Sequence, residues 1–399
     1  MADANKERSS RAKQSSGRTR HPNLTDRARD LFTVSTLLSL PSTVAMVRKF
    51  LASVNWKVAA EEVEGELQHK VVILGLANSG KSTLFNTLRG EYSSAVSPEA
   101  GTTKTLVRGG FGPFQLIDTP GHLRHMQEAG LEEAAVAVYL LDADKGLRRE
   151  DVEMIKRIRG TEKPLAVALN KVDLLKRANP DEEAARLAAQ LGVQDVIPIC
   201  ARSGENVADE LIPALIEISP EAAVILGRQL PKYRREAANK LVRTAALISL
   251  AAGLEPIPLV DIPILLGNQI RMVLRIAAIY GEPLTANYAR ELVATMAGGL
   301  LLRYVAEEAA KAVPFGGDLV SGAIAAAGTW SLGQVAIEYF EGGRKLSRKQ
   351  INDVFKRYYS QYREQHLERQ LAAENGAPAG LLSEVNVVDA DRGDGRSRT

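Results

Sequence analysis

Through the first half of the chain, short apolar runs that stop abruptly at polar clusters alternate with stretches of helical spacing. Lys70-Val-Val-Ile-Leu74 is β-branched and bounded by Gly75, the pattern of a buried strand, and Leu165-Ala-Val-Ala-Leu169 repeats it before Asn170. Gln115-Leu-Ile and Ile197-Pro-Ile are shorter runs of the same kind. After the first of them, Thr83-Leu-Phe-Asn-Thr-Leu88 has its apolar residues at helical spacing and predicts a helix. Strands that alternate with helices imply an α/β fold.

The second half lacks that alternation. From Arg228 to about Glu341 it reads as helices rich in Ala, Leu, Ile and Gly, broken at Glu255-Pro-Ile-Pro-Leu-Val-Asp261 and Pro314-Phe-Gly-Gly-Asp318. Thr244–Leu254 and Leu292–Leu302 are apolar runs of eleven residues, too short to span a bilayer at about 1.5 Å per residue. Leu319–Ile337 is nineteen residues without charge. Its small-residue spacing, Gly322, Ala326, Trp330 and Gly333, suits close helix packing in a membrane or a soluble bundle, and Gln334 with two serines favours the bundle. Ser347-Arg-Lys-Gln350 reads as a capping box opening a helix whose Phe355, Tyr358, Tyr359 and Tyr362 form a docking face. Near the start, Val44, Val47, Leu51, Val54 and Val58 predict one amphipathic helix. Leu31–Val47, seventeen residues without charge, has the length of a signal anchor, but its Ser and Thr residues and Pro41 argue against a spanning helix.

Composition narrows the classes. At 399 residues the chain exceeds one small domain, and 45% hydrophobic with 25% charged residues is a globular balance. A net charge of +3 does not by itself argue for nucleic acid. The basic excess gathers in residues 1–22, where Lys6, Arg8, Arg11, Lys13, Arg18 and Arg20 face only Asp3 and Glu7, a solvated arm that could touch anionic lipid or RNA. A single cysteine, Cys200, excludes an internal disulfide framework and fits a reducing compartment. The five histidines form no ligand-spaced pair with it.

The polar clusters that end the strands carry the chemistry. Gly75-Leu-Ala-Asn78-Ser79-Gly80-Lys81-Ser82, between a strand and a helix opened by Thr83, spells a phosphate-binding loop. Its glycines let backbone N–H groups turn inward, and a helix N-terminus adds to the positive field that meets phosphate. Lys81 would reach the β- and γ-phosphate oxygens, and the Ser82 hydroxyl is a magnesium ligand. Asp118, past the third run, can hold magnesium through water, and the N–H of Gly121 can meet a γ-phosphate. In Asn170-Lys171-Val-Asp173 the Asp173 carboxylate can accept both N1–H and the exocyclic amine of guanine, whereas adenine presents a lone pair there. Asn170 would bind another edge of the base or tie loops together, and the Lys171 stem would lie along the purine face. Cys200, Ala201 and Arg202 end the last strand with small residues that let amides approach the guanine oxygen.

In this order the motifs resemble a small G domain of the Era-like (TrmE, Era, Obg) class. The resemblance covers about 69–218 and all five signature loops: 75–82, Ala100-Gly-Thr-Thr103-Lys104, 118–122, 170–173 and 200–202. It implies a P-loop GTPase fold, doubly wound, with a mostly parallel sheet of six strands. It also implies a first-switch threonine in the magnesium shell, Thr103 or its neighbour Thr102. His122 stands where translation-factor GTPases orient the attacking water. Asn78 matches the asparagine that ligates potassium in potassium-activated relatives, and is equally an ordinary loop former. No arginine finger can be assigned in cis, which implies slow turnover and a switch. Glu255-Pro-Ile-Pro, Ile270–Gly281, Pro314-Phe-Gly-Gly and Glu338-Tyr-Phe-Glu resemble the YcjF-like helical domain of unknown function, whose members are often described as membrane-associated.

The expected organisation is a basic arm (1–22), an N-terminal helical segment (23–68), a G domain (69–218), an all-α domain (219–345), an amphipathic helix (346–372) and a polar tail (373–399). The expected activity is slow hydrolysis of GTP to GDP by a cytoplasmic switch, with the helical domain as output towards an effector, a second copy or the cytoplasmic face of a membrane. The competing expectation is a docking or scaffold protein at a membrane or ribosome whose GTP is structural, RNA contact lacking any recognition module.

Overall fold

The computed structural model describes residues 49, 51–92, 109–117, 131–175, 178–252, 261–287 and 318–374. In chain order they form α1 (Trp56–Glu66), β1 (Lys70–Gly75), α2 (Lys81–Tyr92), β2 (Gly109–Phe111), β3 (Phe114–Leu116), β4 (Ala134–Asp142), α3 (Arg149–Gly160), β5 (Leu165–Asn170), α4 (Pro180–Leu191) and β6 (Val196–Ile199). The remainder is helical: α5 (Ile212–Ile218), α6 (Pro220–Gln229), α7 (Arg234–Ala252), α8 (Asp261–Ile279), α9 (Asp318–Glu341) and α10 (Arg348–Glu374).

The strands make one sheet in the order β2-β3-β1-β4-β5-β6, parallel throughout except for the β2–β3 pair. Strand order reverses at β1, and a doubly wound sheet takes its ligand at the carboxyl ends beside such a point. The phosphate loop follows β1 directly. Every residue of β4 is buried, as its place at the centre of a sheet covered on both sides requires.

Side-chain alternation divides the sheet into two layers. Val72, Leu74, Tyr139, Leu141 and Leu169 meet α3 and α4. Val71, Ile73, Val138, Leu140 and Ala168 belong to a second core that runs without a break into the helical half, through Leu226, Leu241, Leu274 and Val335. α6 is the mediator, lying against β1 and β4 on one side and α7 and α8 on the other.

Small residues set the helix spacing. A Cβ on Gly333 of α9 would lie 2.4 Å from Val242 Cγ2 of α7, and one on Gly227 of α6 would lie 2.7 Å from the Ala237 Cβ. Ala326 and Gly333 thus serve packing within a bundle, and no helix among the described residues is long and apolar enough to cross a membrane. A polar layer crosses the bundle: Gln269 Nε2 donates to Thr329 Oγ1 at 2.9 Å, Asn268 Nδ2 donates to Ser249 Oγ at 3.1 Å, and the Ser249 and Thr329 hydroxyls are 2.8 Å apart.

The N-terminal stripe is not one helix. Residues 51–53 are helical, the chain breaks at Val54 and Asn55, and α1 begins after the Asn55 side chain accepts the Val58 N–H at 3.3 Å. An asparagine that satisfies a free N–H sets a new helix start, so the stripe spacing runs through a cap. The face that α1 buries is Ala59, Ala60 and Val63, with Val58 only half-buried. At its end Glu66, 5% exposed, accepts from Arg271 Nη2 at 2.8 Å and is gripped by Arg275 through Nε at 2.8 Å and Nη2 at 2.7 Å. That clamp fixes α1 to α8.

The capping box at Ser347 forms reciprocally: Gln350 N–H donates to Ser347 Oγ at 3.3 Å, and Ser347 N–H to Gln350 Oε1 at 2.9 Å. The aromatic face of α10 docks within the chain. Tyr358 donates to Glu338 of α9 at 2.8 Å, and Tyr362 meets Trp330 with ring centroids 5.8 Å apart. The basic arm, Leu31–Val47, Leu292–Leu302 and the polar tail from 375 onward lie outside the described residues.

Candidate nucleotide site

The phosphate loop takes its shape from two glycines that no other residue could replace. Gly75 has φ 149° and Gly80 φ 98°; a Cβ at Gly75 would sit 2.8 Å from the Leu140 carbonyl oxygen, and one at Gly80 only 2.1 Å from Asn170 Nδ2. Asn78 between them is left-handed at φ 66°, a conformation asparagine tolerates. α2 starts at Lys81, so its N-terminal turn opens at the end of the loop. Lys81 is 7% exposed and its ammonium donates to the carbonyls of Gly75 at 2.9 Å and Leu76 at 3.0 Å, which holds the cation inside the loop. Ser82 and Thr83 are exposed in the first turn of α2. Ser79 is fully buried and its hydroxyl has no hydrogen-bond partner among the described residues.

Asn170 joins the loops. Its Nδ2 donates to the Ser79 carbonyl at 2.8 Å, and its Oδ1 accepts the Ala201 N–H at 2.9 Å. One side chain, 2% exposed, therefore sets the phosphate loop against the 200–202 loop. Of the two roles open to it from sequence, the geometry is that of the tie. Thr87 adds a second link, its hydroxyl donating to the Ala201 carbonyl at 2.5 Å.

Lys171 is left-handed at φ 68°, strained for a residue with a Cβ. Its ammonium reaches the Asn78 carbonyl at 2.6 Å and Asp142 Oδ2 at 2.7 Å, so the tip of the side chain is fixed. Asp173, in the short turn Val172–Leu174 that follows, is exposed, and one carboxylate oxygen accepts the thiol of buried Cys200 at 3.2 Å. An oriented carboxylate open to solvent is what recognition of two adjacent N–H donors requires. Ala201 is buried and Arg202 exposed beside it.

The structure thus gathers Gly75, Asn78, Ser79, Gly80, Lys81 and Ser82 with Asn170, Lys171, Asp173, Cys200, Ala201 and Arg202 at the carboxyl ends of β1, β5 and β6. Thr102, Thr103, Asp118, Gly121 and His122 lie outside the described residues. Asp142 and Thr87 are additions that the sequence reading lacks. Asp142 had a signal: it is an acid closing a nine-residue buried strand, the logic that singles out Asn170. Thr87 had none, since it is one polar position in an amphipathic helix.

Residues 70–171 match a family model described as 50S ribosome-binding GTPase, and residues 221–364 match a domain of unknown function, DUF697. GTPase Era of Aquifex aeolicus is 32% identical over 174 residues, covering 38% of this chain and 56% of its own. GTPase Der of Syntrophotalea carbinolica is 31% identical over 202 residues, covering 46% of this chain and 45% of its own. The chain spans about half the length of the curated relatives it matches. A solved structure of translation elongation factor SelB from Methanococcus maripaludis overlaps 35% of this chain and 31% of its own, at 22% identity and a TM-score of 0.26. This chain therefore carries a GTPase domain of the kind found in Era and Der, followed by a DUF697 helical domain.

Proposed function

We propose that the protein binds GTP and hydrolyses it slowly to GDP and phosphate, and that the helical domain reads the difference between the two states. The observation that carries this reading is Asn170, which locks the phosphate loop to the base loop through Ser79 and Ala201. A triphosphate and a purine would then be held by one rigid unit, with Lys81 and the α2 amides at the phosphates and Asp173 at the base.

Ser82 offers a hard oxygen in the first turn of α2, and with Asp118 and Thr103 it would hold a magnesium ion. Magnesium bound there neutralises charge on the phosphate oxygens. His122 would orient the attacking water, and Asn78 is the residue to test for potassium activation. No arginine finger is assigned, so the rate expected is that of a switch. The core shared by β1, β4 and α6 is the route by which the helices would respond, with α7 presenting exposed Leu247 and Ile248 to a partner or a membrane surface.

The test is nucleotide selectivity together with phosphate release in magnesium. Wild type is expected to prefer GTP over ATP, and Asp173→Asn to lower that preference by about 100-fold or more, because an amide nitrogen would face the donors of guanine. An unchanged preference in the variant, or no phosphate release by wild type with or without liposomes, would overturn the reading.

A further inference from the structure

Directly after the 200–206 loop the chain makes a π-helical turn, Val207–Leu211, entered through Asn206 in the left-handed region at φ 59°. Such turns are rare and tend to mark functional places. The wide register is explicit: Leu211 N–H donates to the Asn206 carbonyl at 2.9 Å, and Ile212 N–H to that of Val207. The next donor in this register is residue 213, and it is a proline without an N–H. The carbonyl of Ala208 is thereby denied the backbone partner its position assigns.

A side chain from the start of the helical domain takes that place. The Tyr233 hydroxyl donates to the Ala208 oxygen at 2.7 Å. Tyr233 is 3% exposed and ends the short turn Pro231–Tyr233 that leads into α7. Its neighbour Lys232 places Nζ 3.6 Å from Asp209 of the same turn, an exposed pair that adds little to the Tyr233 bond. The turn is in turn stitched to the base loop: Val207 N–H donates to Gly204, Gly204 N–H to Cys200, Cys200 N–H to Glu205, and Asn206 Nδ2 to Pro198 at 3.0 Å. Little slack separates the Ala208 carbonyl from the Ala201 amide that Asn170 orients.

We propose that Tyr233 is a positioning residue for the guanine-facing loop, through which the helical domain sets how long the base stays bound. The proposal rests on the guanine reading above and adds to it a regulator: displacement of the first turn of α7 releases the π-turn and loosens Cys200–Arg202. The phosphate half of the site meets this loop through Asn170 and Thr87, both bonded to Ala201.

Tyr233→Phe removes one hydroxyl and keeps the ring. Release of a fluorescent GDP analogue, followed by stopped flow, is expected to quicken about five- to tenfold with the association rate unchanged, the effect of one buried hydrogen bond. Pro213→Ala in the same background supplies a backbone N–H and is expected to return release to within about twofold of wild type, a rescue that general loosening of the core would not give. Amide hydrogen exchange of residues 200–206 without nucleotide should follow the same order, faster in the single variant and restored in the double. Unchanged release or exchange in Tyr233→Phe, or a double variant that behaves like the single one, overturns the proposal. If wild type retains no GDP the guanine reading fails, and the exchange measurement alone decides the role of Tyr233.

Discussion

Lys171 Nζ and Asp142 Oδ2 lie 2.7 Å apart, joining the turn after β5 to the last residue of β4. The Asp142 side chain is sealed from solvent while that of Lys171 is 30% exposed. The pair braces a left-handed backbone at the base-reading turn, and the Asp142 carboxylate also accepts the Asp144 N–H at 3.1 Å.

Asp142→Asn is expected to destabilise the fold by about 1–2 kcal/mol, less than a fully buried pair would lose because Lys171 can recover water. Guanine nucleotide affinity should fall with it, since the released turn carries Asp173. Urea denaturation and titration with a fluorescent nucleotide measure the two separately. A loss of stability at unchanged affinity would show that the pair serves the fold alone.

At the opposite end of β1, protonated His69 donates from Nδ1 to Glu221 of α6 at 3.2 Å. That hydrogen bond raises the histidine above its ordinary 6.5 against the opposing effect of burial, and lowers Glu221 below its ordinary 4.5. The raised group contributes stability in full below pH 6.5 and loses it as pH rises through its folded value; the lowered one contributes above pH 4.5 and loses it as pH falls. The gap in Tm between wild type and His69→Gln should therefore be widest between about pH 4.5 and 6.5 and narrow towards pH 9. A gap constant across that range would refute the pairing.

Two glycines in helices predict opposite signs. Gly333→Ala would drive a methyl into Val242 and is expected to cost about 1–3 kcal/mol. The methyl added by Gly90→Ala on the exposed side of α2 meets nothing within 4 Å among the described residues and is expected to stabilise by about 0.5–1 kcal/mol. Denaturant midpoints of the two variants decide it, and equal shifts would mean that the α7–α9 contact is slacker than its geometry.

The phosphate loop was legible because strand, glycine turn and helix follow each other within a dozen residues or so. Asn170 was legible as a base contact or a tie between loops, though its partners Ser79 and Ala201 were not, because they come together only in the folded sheet. Asp142 closes the apolar run of β4 as Asn170 closes that of β5, but its pairing with Lys171 across 29 residues exists only in the folded sheet. Tyr233 left no local trace, since its purpose arises from a missing N–H twenty residues earlier. The broken N-terminal helix misled for a related reason: hydrophobic spacing does not register that Asn55 caps a new start.

The helical half was legible as helices and illegible as an arrangement. α9 is apolar around nearly its whole circumference, so its pattern names no preferred side. The structure supplies the side, and with it the fact that α6 covers β1 and β4.

That coverage governs how the polypeptide can be handled. A cut near Ser219 would strip α6 from the sheet and bare Val71, Ile73 and Leu140 to water, while the severed helices would expose their own matching surface. Recombinant fragments divided there should precipitate, and co-expression of the two pieces should recover what neither yields by itself.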